Sequence, residues 1–261
     1  MLSENVIASQ INELQEIVRS SPLLLPGGAG SKTALTTTQK GVTLLAMTGL
    51  RGLLAYQPEE FTFTALAGTP LAEIERLLAE NGQYLPFDPP LVEHGATLGG
   101  TVAAGLSGPG RYRYGGVRDF ILGVQFIDAS GELVRTGGKV VKNAAGFDLP
   151  KLMVGSLGGF GALVELAFKV FPLPPAFITL RFEYESLNSA LGAVMHLGRQ
   201  PLEIMALELE PYSAGAALLV RLGGDPQSFA PRLERLRDIL GRSSGDQLEG
   251  QSEREYWQAG R

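Results

Sequence analysis

Cysteine is absent from the 261 residues. That excludes disulfides, thiolate zinc sites, thiol nucleophiles and iron–sulfur clusters held by this chain alone. Histidine is nearly absent: His94 and His196 are the only two, which argues against a His-rich metal site. Charge is sparse, at 19% of residues, and slightly acidic, with 22 Lys plus Arg against 27 Asp plus Glu. Such a balance offers no broad basic surface, so nucleic-acid binding through phosphate neutralisation is not expected. Long apolar runs are also missing. The best, Leu152 to Leu163, is broken by four glycines and is too short to span a bilayer. The start of the chain carries Glu4, Glu13 and Glu16 where a secretory signal would have an apolar core. A cytoplasmic location is therefore expected, peripheral to a membrane only through partners.

What is abundant is glycine. The chain has 34, and 17 of them fall between Gly95 and Gly161. There is no collagen-like triplet, and an apolar fraction of 44% is enough for a full core, so this is folded backbone with tight turns or close backbone approaches.

Apolar spacing at Val6, Ile7, Ile11, Leu14, Ile17 and Val18 predicts a helix over 5–19, with Ser3 as its cap. Short strands are expected at Leu23–Leu25, Leu50–Tyr56 and Phe61–Ala67, then a helix to Ala79 capped by Thr69 with Pro70 at its first position. Ala96–Leu106 reads as helical, Phe120–Asp128 and Glu132–Thr136 as a hairpin, Leu149–Val154 as a helix and Ala162–Phe171 as a strand. Pro172-Leu173-Pro174-Pro175 marks a stiff boundary. Beyond it the order is strand, helix, strand, strand, helix, which lacks the last strand of a ferredoxin-like split βαβ unit, followed by a polar tail from Ser243.

Three glycine-rich segments are candidates for chemistry. Pro26-Gly27-Gly28-Ala29-Gly30-Ser31-Lys32 follows a strand, and its small residues let N–H groups converge on an anion. It matches neither the Walker A pattern nor G-x-G-x-x-G, and a plain surface turn remains an alternative. Gly95 to Gly110 carries no charge, and a helix starting near Gly99 and Gly100 would present free amides to an anion, unless those glycines serve only close helix–sheet packing. Gly155 to Gly161 leads into the last strand of this region. Arg111, Arg113 and Arg118 lie close in sequence and could neutralise a diphosphate.

Thr97-Leu98-Gly99-Gly100, Ser107-Gly108, Gly116-Val117-Arg118-Asp119, Lys142-Asn143-Ala144-Ala145-Gly146-Phe147-Asp148 and Gly155-Ser156-Leu157-Gly158, in this order, resemble the FAD-binding domain of the vanillyl-alcohol oxidase/p-cresol methylhydroxylase (PCMH) superfamily. Pro86 to Pro90 and Leu106-Ser107-Gly108-Pro109 are similar to the FAD-binding subunits of bacterial glycolate oxidases within it. The resemblance implies an α+β fold: a PCMH-type FAD-binding domain over 1–173, with subdomains of about 1–85 and 86–173, then a short, incomplete ferredoxin-like cap and polar tail over 174–261. It implies that Gly27, Gly28, Ala29, Gly30 and Ser31 wrap the FAD pyrophosphate. Thr97, Leu98, Gly99, Gly100, Ser107 and Gly108 would line the diphosphate and flavin side, and Gly161 and Val164 would pass the adenine or ribitol end. Asp119 would have a supporting or direct role. With no cysteine, and no histidine in the Gly27 loop, the FAD is expected to be non-covalent.

The function implied is that of an FAD-binding subunit of a glycolate or other 2-hydroxy-acid dehydrogenase, working with a second flavoprotein subunit and an iron–sulfur subunit. A self-sufficient FAD oxidoreductase and a non-catalytic assembly subunit with a structural nucleotide pocket remain alternatives. No acid–base pair stands out. His196 reads as structural on an amphipathic helix, and His94 as a loop residue beside Gly95. A missing cap strand would leave an open sheet edge for docking.

Overall fold

The computed structural model describes residues 4–37, 40–138, 147–242 and 245–259, which divide between two units. The first comprises Met1–Gly108 and Gly116–Pro172; the second comprises Pro109–Gly115 and Leu173–Arg261.

The first unit opens with α1 (Glu4–Ser20), whose apolar stripe buries Leu14 and Val18. The Ser3 cap lies outside the described residues. β1 (Leu24–Gly27) pairs in parallel with β2 (Thr43–Ala46), a strand with no signal in the sequence reading. β3 (Leu53–Gln57), β4 (Thr62–Leu66), α2 (Leu71–Glu80), β5 (Gln83–Tyr84) and α3 (Leu98–Ala104) follow. A four-residue helix of the second unit, α4 (Arg111–Tyr114), comes next in sequence. β6 (Ile121–Ile127), β7 (Leu133–Gly137), α5 (Leu149–Met153), β8 (Ala162–Lys169) and β9 (Phe171–Pro172) complete the unit.

Five of these strands form an antiparallel sheet in the order β3-β4-β8-β6-β7. β8 lies at its centre and is buried on both faces except at Glu165 and Lys169, which is why it reads as a continuous apolar run. Phe63 and Phe168 face each other across β4 and β8, with ring centroids 5.8 Å apart, and Phe87 lies 5.6 Å from Phe168. A second core gathers Leu14 and Val18 of α1, Leu45 of β2 and Val164 of β8, so the small parallel pair is anchored to the large sheet.

One cap differs from expectation. Thr69 does not cap α2; Pro70 is the cap residue, in extended conformation. The Thr69 hydroxyl is buried, donates to the Leu66 carbonyl at 2.7 Å and accepts from the Gly52 N–H at 2.9 Å. The side chain ties the turn before β3 to the end of β4 and cannot also serve the helix.

The second unit contains β10 (Ala176–Tyr184), α6 (Leu187–Leu197), β11 (Ile204–Tyr212), β12 (Gly215–Gly224), α7 (Phe229–Leu240), β13 (Asp246–Glu249) and α8 (Gly250–Ala259). Its antiparallel sheet runs β11-β12-β10-β13. The strand expected to be missing is present: β13 pairs with Ile178–Arg181 of β10, giving the full ferredoxin-like β-α-β-β-α-β order. The expected polar tail is therefore a strand and a helix. Alternate residues of β10 and β12 pack against α6 and α7, while Ala206, Ala217 and Leu219 on the opposite face pack against Trp257 of α8.

α8 is fixed by a buried polar cluster. Arg221 donates twice to the Glu253 carboxylate, at 2.6 and 3.0 Å. The Thr179 hydroxyl donates to Glu253 at 3.2 Å and accepts from the Trp257 indole N–H at 2.9 Å. Glu253 is only 1% exposed, and the Arg221 guanidinium lies 4.0 Å from the Phe177 ring centre.

Candidate cofactor site

The first glycine segment leaves β1 directly. Gly27 still belongs to the strand, its carbonyl accepting from the Met47 N–H at 2.9 Å. The chain then turns through Gly30, whose φ of +78° is open to glycine and unfavourable for other residues. Among the described residues, no protein group accepts from the main-chain N–H of Gly28, Ala29, Gly30, Ser31 or Lys32. Consecutive unclaimed amides of this kind form a nest for an anion.

The second segment behaves differently from expectation. Thr97 caps α3, its hydroxyl accepting from the Gly100 N–H at 3.2 Å. The Leu98 N–H donates to the Thr69 carbonyl at 2.9 Å and the Gly99 N–H to the Ala67 carbonyl at 2.7 Å. The amides expected to be free at this helix start are thus satisfied by the protein. Gly99 packs so closely that a Cβ there would lie 2.7 Å from the Ala67 Cβ. α3 contributes a surface of small residues, Gly99, Gly100, Ala103 and Ala104, not a set of donors.

The third segment closes the far end of α3. The Gly155 N–H donates to the Val102 carbonyl and the Leu157 N–H to the Ala103 carbonyl, both at 2.9 Å. Gly158 lies against the Pro26 ring, where a Cβ would come within 2.9 Å of Cδ.

All three segments meet around two adjoining cavities that share Pro26, Gly28, Thr97, Gly100 and Ala103. The smaller, of about 40 Å³, reaches inward to Met47, Gly99, Gly161 and Leu163. The larger, of about 430 Å³, runs along the whole loop from Leu25 to Thr33 and on to Leu157. Its size is within the ~300–1,000 Å³ of ordinary ligand pockets.

Gly27, Gly28, Ala29, Gly30, Ser31, Thr97, Gly99, Gly100 and Gly161 line these cavities. The other candidates do not line them. Leu98 and Val164 are fully buried in the core. The Ser107 hydroxyl accepts from the Val117 N–H at 3.0 Å, and the Gly108 N–H donates to the Asp88 carbonyl at 2.6 Å. Asp119 accepts from the Gly116 N–H at 2.9 Å and closes the turn that Ser107 also holds. Arg113 belongs to the second unit, where it pairs with Glu203 at 3.0 Å. His94 and His196 are exposed. The Lys142–Gly146 stretch lies outside the described residues.

Lys32 was missed as a site residue. It lines the larger cavity and, among the described residues, is the only ionisable one to do so. It is half-buried, and burial lowers its pKa below the usual lysine value. Its place at the end of a neutral loop was the available signal. Among the described residues the lining is therefore suited to an anionic, elongated ligand: unclaimed amides, one cation, no carboxylate and little side-chain bulk.

Comparison with known proteins agrees. The FAD binding domain family matches residues 5–137, just over half of the 261. Glycolate oxidase subunit GlcE of Escherichia coli (strain K12) is 40% identical over 97% of this chain and 66% of its own length. D-lactate dehydrogenase of Anaerostipes hadrus is 30% identical over 85% of this chain and 50% of its own. Glycolate oxidase subunit GlcD of Bacillus subtilis (strain 168) is 28% identical, over 83% and 49%. The chain thus spans from about half to just under two thirds of the length of these relatives. Among solved structures, an alkyldihydroxyacetonephosphate synthase superposes with a TM-score of 0.75 over 98% of this chain and 52% of its own, at 17% identity, and so shares the fold. Most of the cavity lining, from Leu25 to Ala104, falls within the matched stretch, and the chain belongs to the FAD binding domain family.

Proposed function

We propose that the chain is the FAD-binding subunit of a glycolate or other 2-hydroxy-acid dehydrogenase complex. The observation that carries this is the row of unclaimed amides from Gly28 to Lys32, beside a cavity floored by α3. In this reading Gly27 to Ser31 hold the diphosphate, and Thr97, Gly99, Gly100 and Gly161 let the cofactor lie against backbone. Ser107, Gly108 and Asp119 order the turns at Asp88 and Gly116–Val117, and Leu98 and Val164 lie in the core. The FAD-binding domain takes 1–173, and 174–261 forms the cap. When bound, FAD would accept the hydride equivalent removed from the hydroxy acid.

The relatives named as glycolate oxidase subunits support the complex, and those named as D-lactate dehydrogenases support the substrate class. Oxidation also requires a cation for the carboxylate and a base for the hydroxyl proton. Lys32, the only ionisable lining residue among those described, faces the diphosphate in this reading. Those two groups therefore come from elsewhere in the complex, whose second flavoprotein and iron–sulfur subunits take the electrons onward and provide any attachment to a membrane. In this reading the FAD is non-covalent, since among the described residues no cavity-lining one is a histidine, tyrosine or cysteine.

The test is the absorbance spectrum of the purified protein, followed by acid precipitation. Flavin bands are expected, with all the flavin in the supernatant. A protein that neither carries nor takes up FAD would overturn the reading, and flavin left on the precipitate would overturn the non-covalent assignment.

A further inference from the structure

We propose that Lys32 is the counter-charge of the cofactor site, an ammonium held half out of water so that a diphosphate can neutralise it. This rests on the functional reading above and goes beyond it by naming the group that sets affinity for the charged part of the ligand. Three observations place it. Lys32 follows directly on the four other residues with unclaimed amides and lines the same cavity as they do. Among the described residues its ammonium reaches only the Ser31 hydroxyl, at 3.4 Å, a neutral partner. The described residues around the cavity, from β2, the Gly27 loop, α3 and the loop at Leu157, include no other titratable group.

A half-buried cation without a carboxylate is disfavoured in the protein without ligand, because water is lost and no charge replaces it. An anion in the cavity reverses that, and a charge-assisted contact in a partly dry site is stronger than the same contact in water. The geometry therefore stores a small cost in the empty protein and releases it on binding. An ordinary structural lysine would do the opposite: its removal would weaken the empty protein and leave ligand binding unchanged.

The experiment compares wild type with K32M and K32R, each stripped of flavin, by FAD fluorescence titration at low and high salt and by thermal melting with and without FAD. K32M is expected to bind FAD about tenfold or more weakly, to lose most of the salt dependence, and to melt no lower than wild type when empty. K32R is expected to stay within about threefold of wild type, because it keeps the charge. ADP should compete for wild type far better than for K32M, whereas adenosine should compete equally weakly for both. Wild-type affinity and salt dependence retained in K32M would overturn the Lys32 assignment alone. So would K32M and K32R both losing FAD while melting below wild type, since that marks a structural lysine. A wild type that binds no FAD would instead overturn the functional reading.

Discussion

Gly28 and Thr97 touch across two loops, and the contact leaves no room for a side chain. A Cβ at Gly28 would sit 2.5 Å from the Thr97 hydroxyl oxygen, which already holds the start of α3. Gly28→Val is expected to push the amide row away from α3 and to weaken FAD binding by at least about tenfold, ~1.4 kcal/mol, with the fold retained. Flavin fluorescence titration beside far-ultraviolet circular dichroism checks it. Asp128 gives a pH-dependent case. Its carboxylate accepts from the Ser130 hydroxyl at 2.6 Å and from the Ser130 and Glu132 N–H groups at 2.8 and 3.0 Å, and these bonds lower its pKa. A lowered pKa means that the carboxylate stabilises the β6–β7 turn above the ordinary aspartate range. That contribution disappears as pH falls through the shifted value. Asp128→Asn should therefore melt below wild type at neutral pH, and the gap should close on acidification; a gap constant with pH would contradict this.

At the level of elements, legibility followed apolar content. α6 and α7 were read with their observed bounds, Leu187–Leu197 and Phe229–Leu240, because they present apolar faces to one core. β8 was read as a strand because both its faces are buried, although the structure ends it at Lys169, two residues before the expected Phe171. β13 and α8 were not legible. Asp-Gln-Leu-Glu shows no apolar alternation and is a strand through pairing with β10. α8 is charged in sequence, and its buried glutamate looks like a solvated residue until Arg221, 32 positions away, is seen to meet it. Removing Glu253 tests that partnership. Glu253→Ala leaves the Arg221 guanidinium largely buried and unpaired, and is expected to cost about 3–5 kcal/mol in urea unfolding. An apolar pair in place of both charges should recover much of the loss. A surface-like change of under ~0.5 kcal/mol would show that the cluster does not hold the helix.

At the level of the whole molecule, the order of the glycine motifs indicated the family and the convergence of three distant segments. It did not reveal how labour is divided among them. From sequence alone, glycines at the start of α3 and glycines after β1 look alike. The structure separates them by what their N–H groups meet, namely Ala67 and Thr97 in one case and no acceptor among the described residues in the other. The edge of β10 expected to be open for want of a last strand is covered by β13, whose polar residues resemble a tail in the sequence.

Gly99 fixes a distance. With its N–H held by the Ala67 carbonyl at 2.7 Å, the axis of α3 is set against the end of β4 by main chain alone, with no rotamer in between to absorb an error. The cavity floor therefore inherits the stiffness of the sheet. A single added methyl group on the hidden side of that helix would be transmitted outward as a raised floor, and a thin, extended ligand would register it as a narrower slot long before the protein registered it as instability.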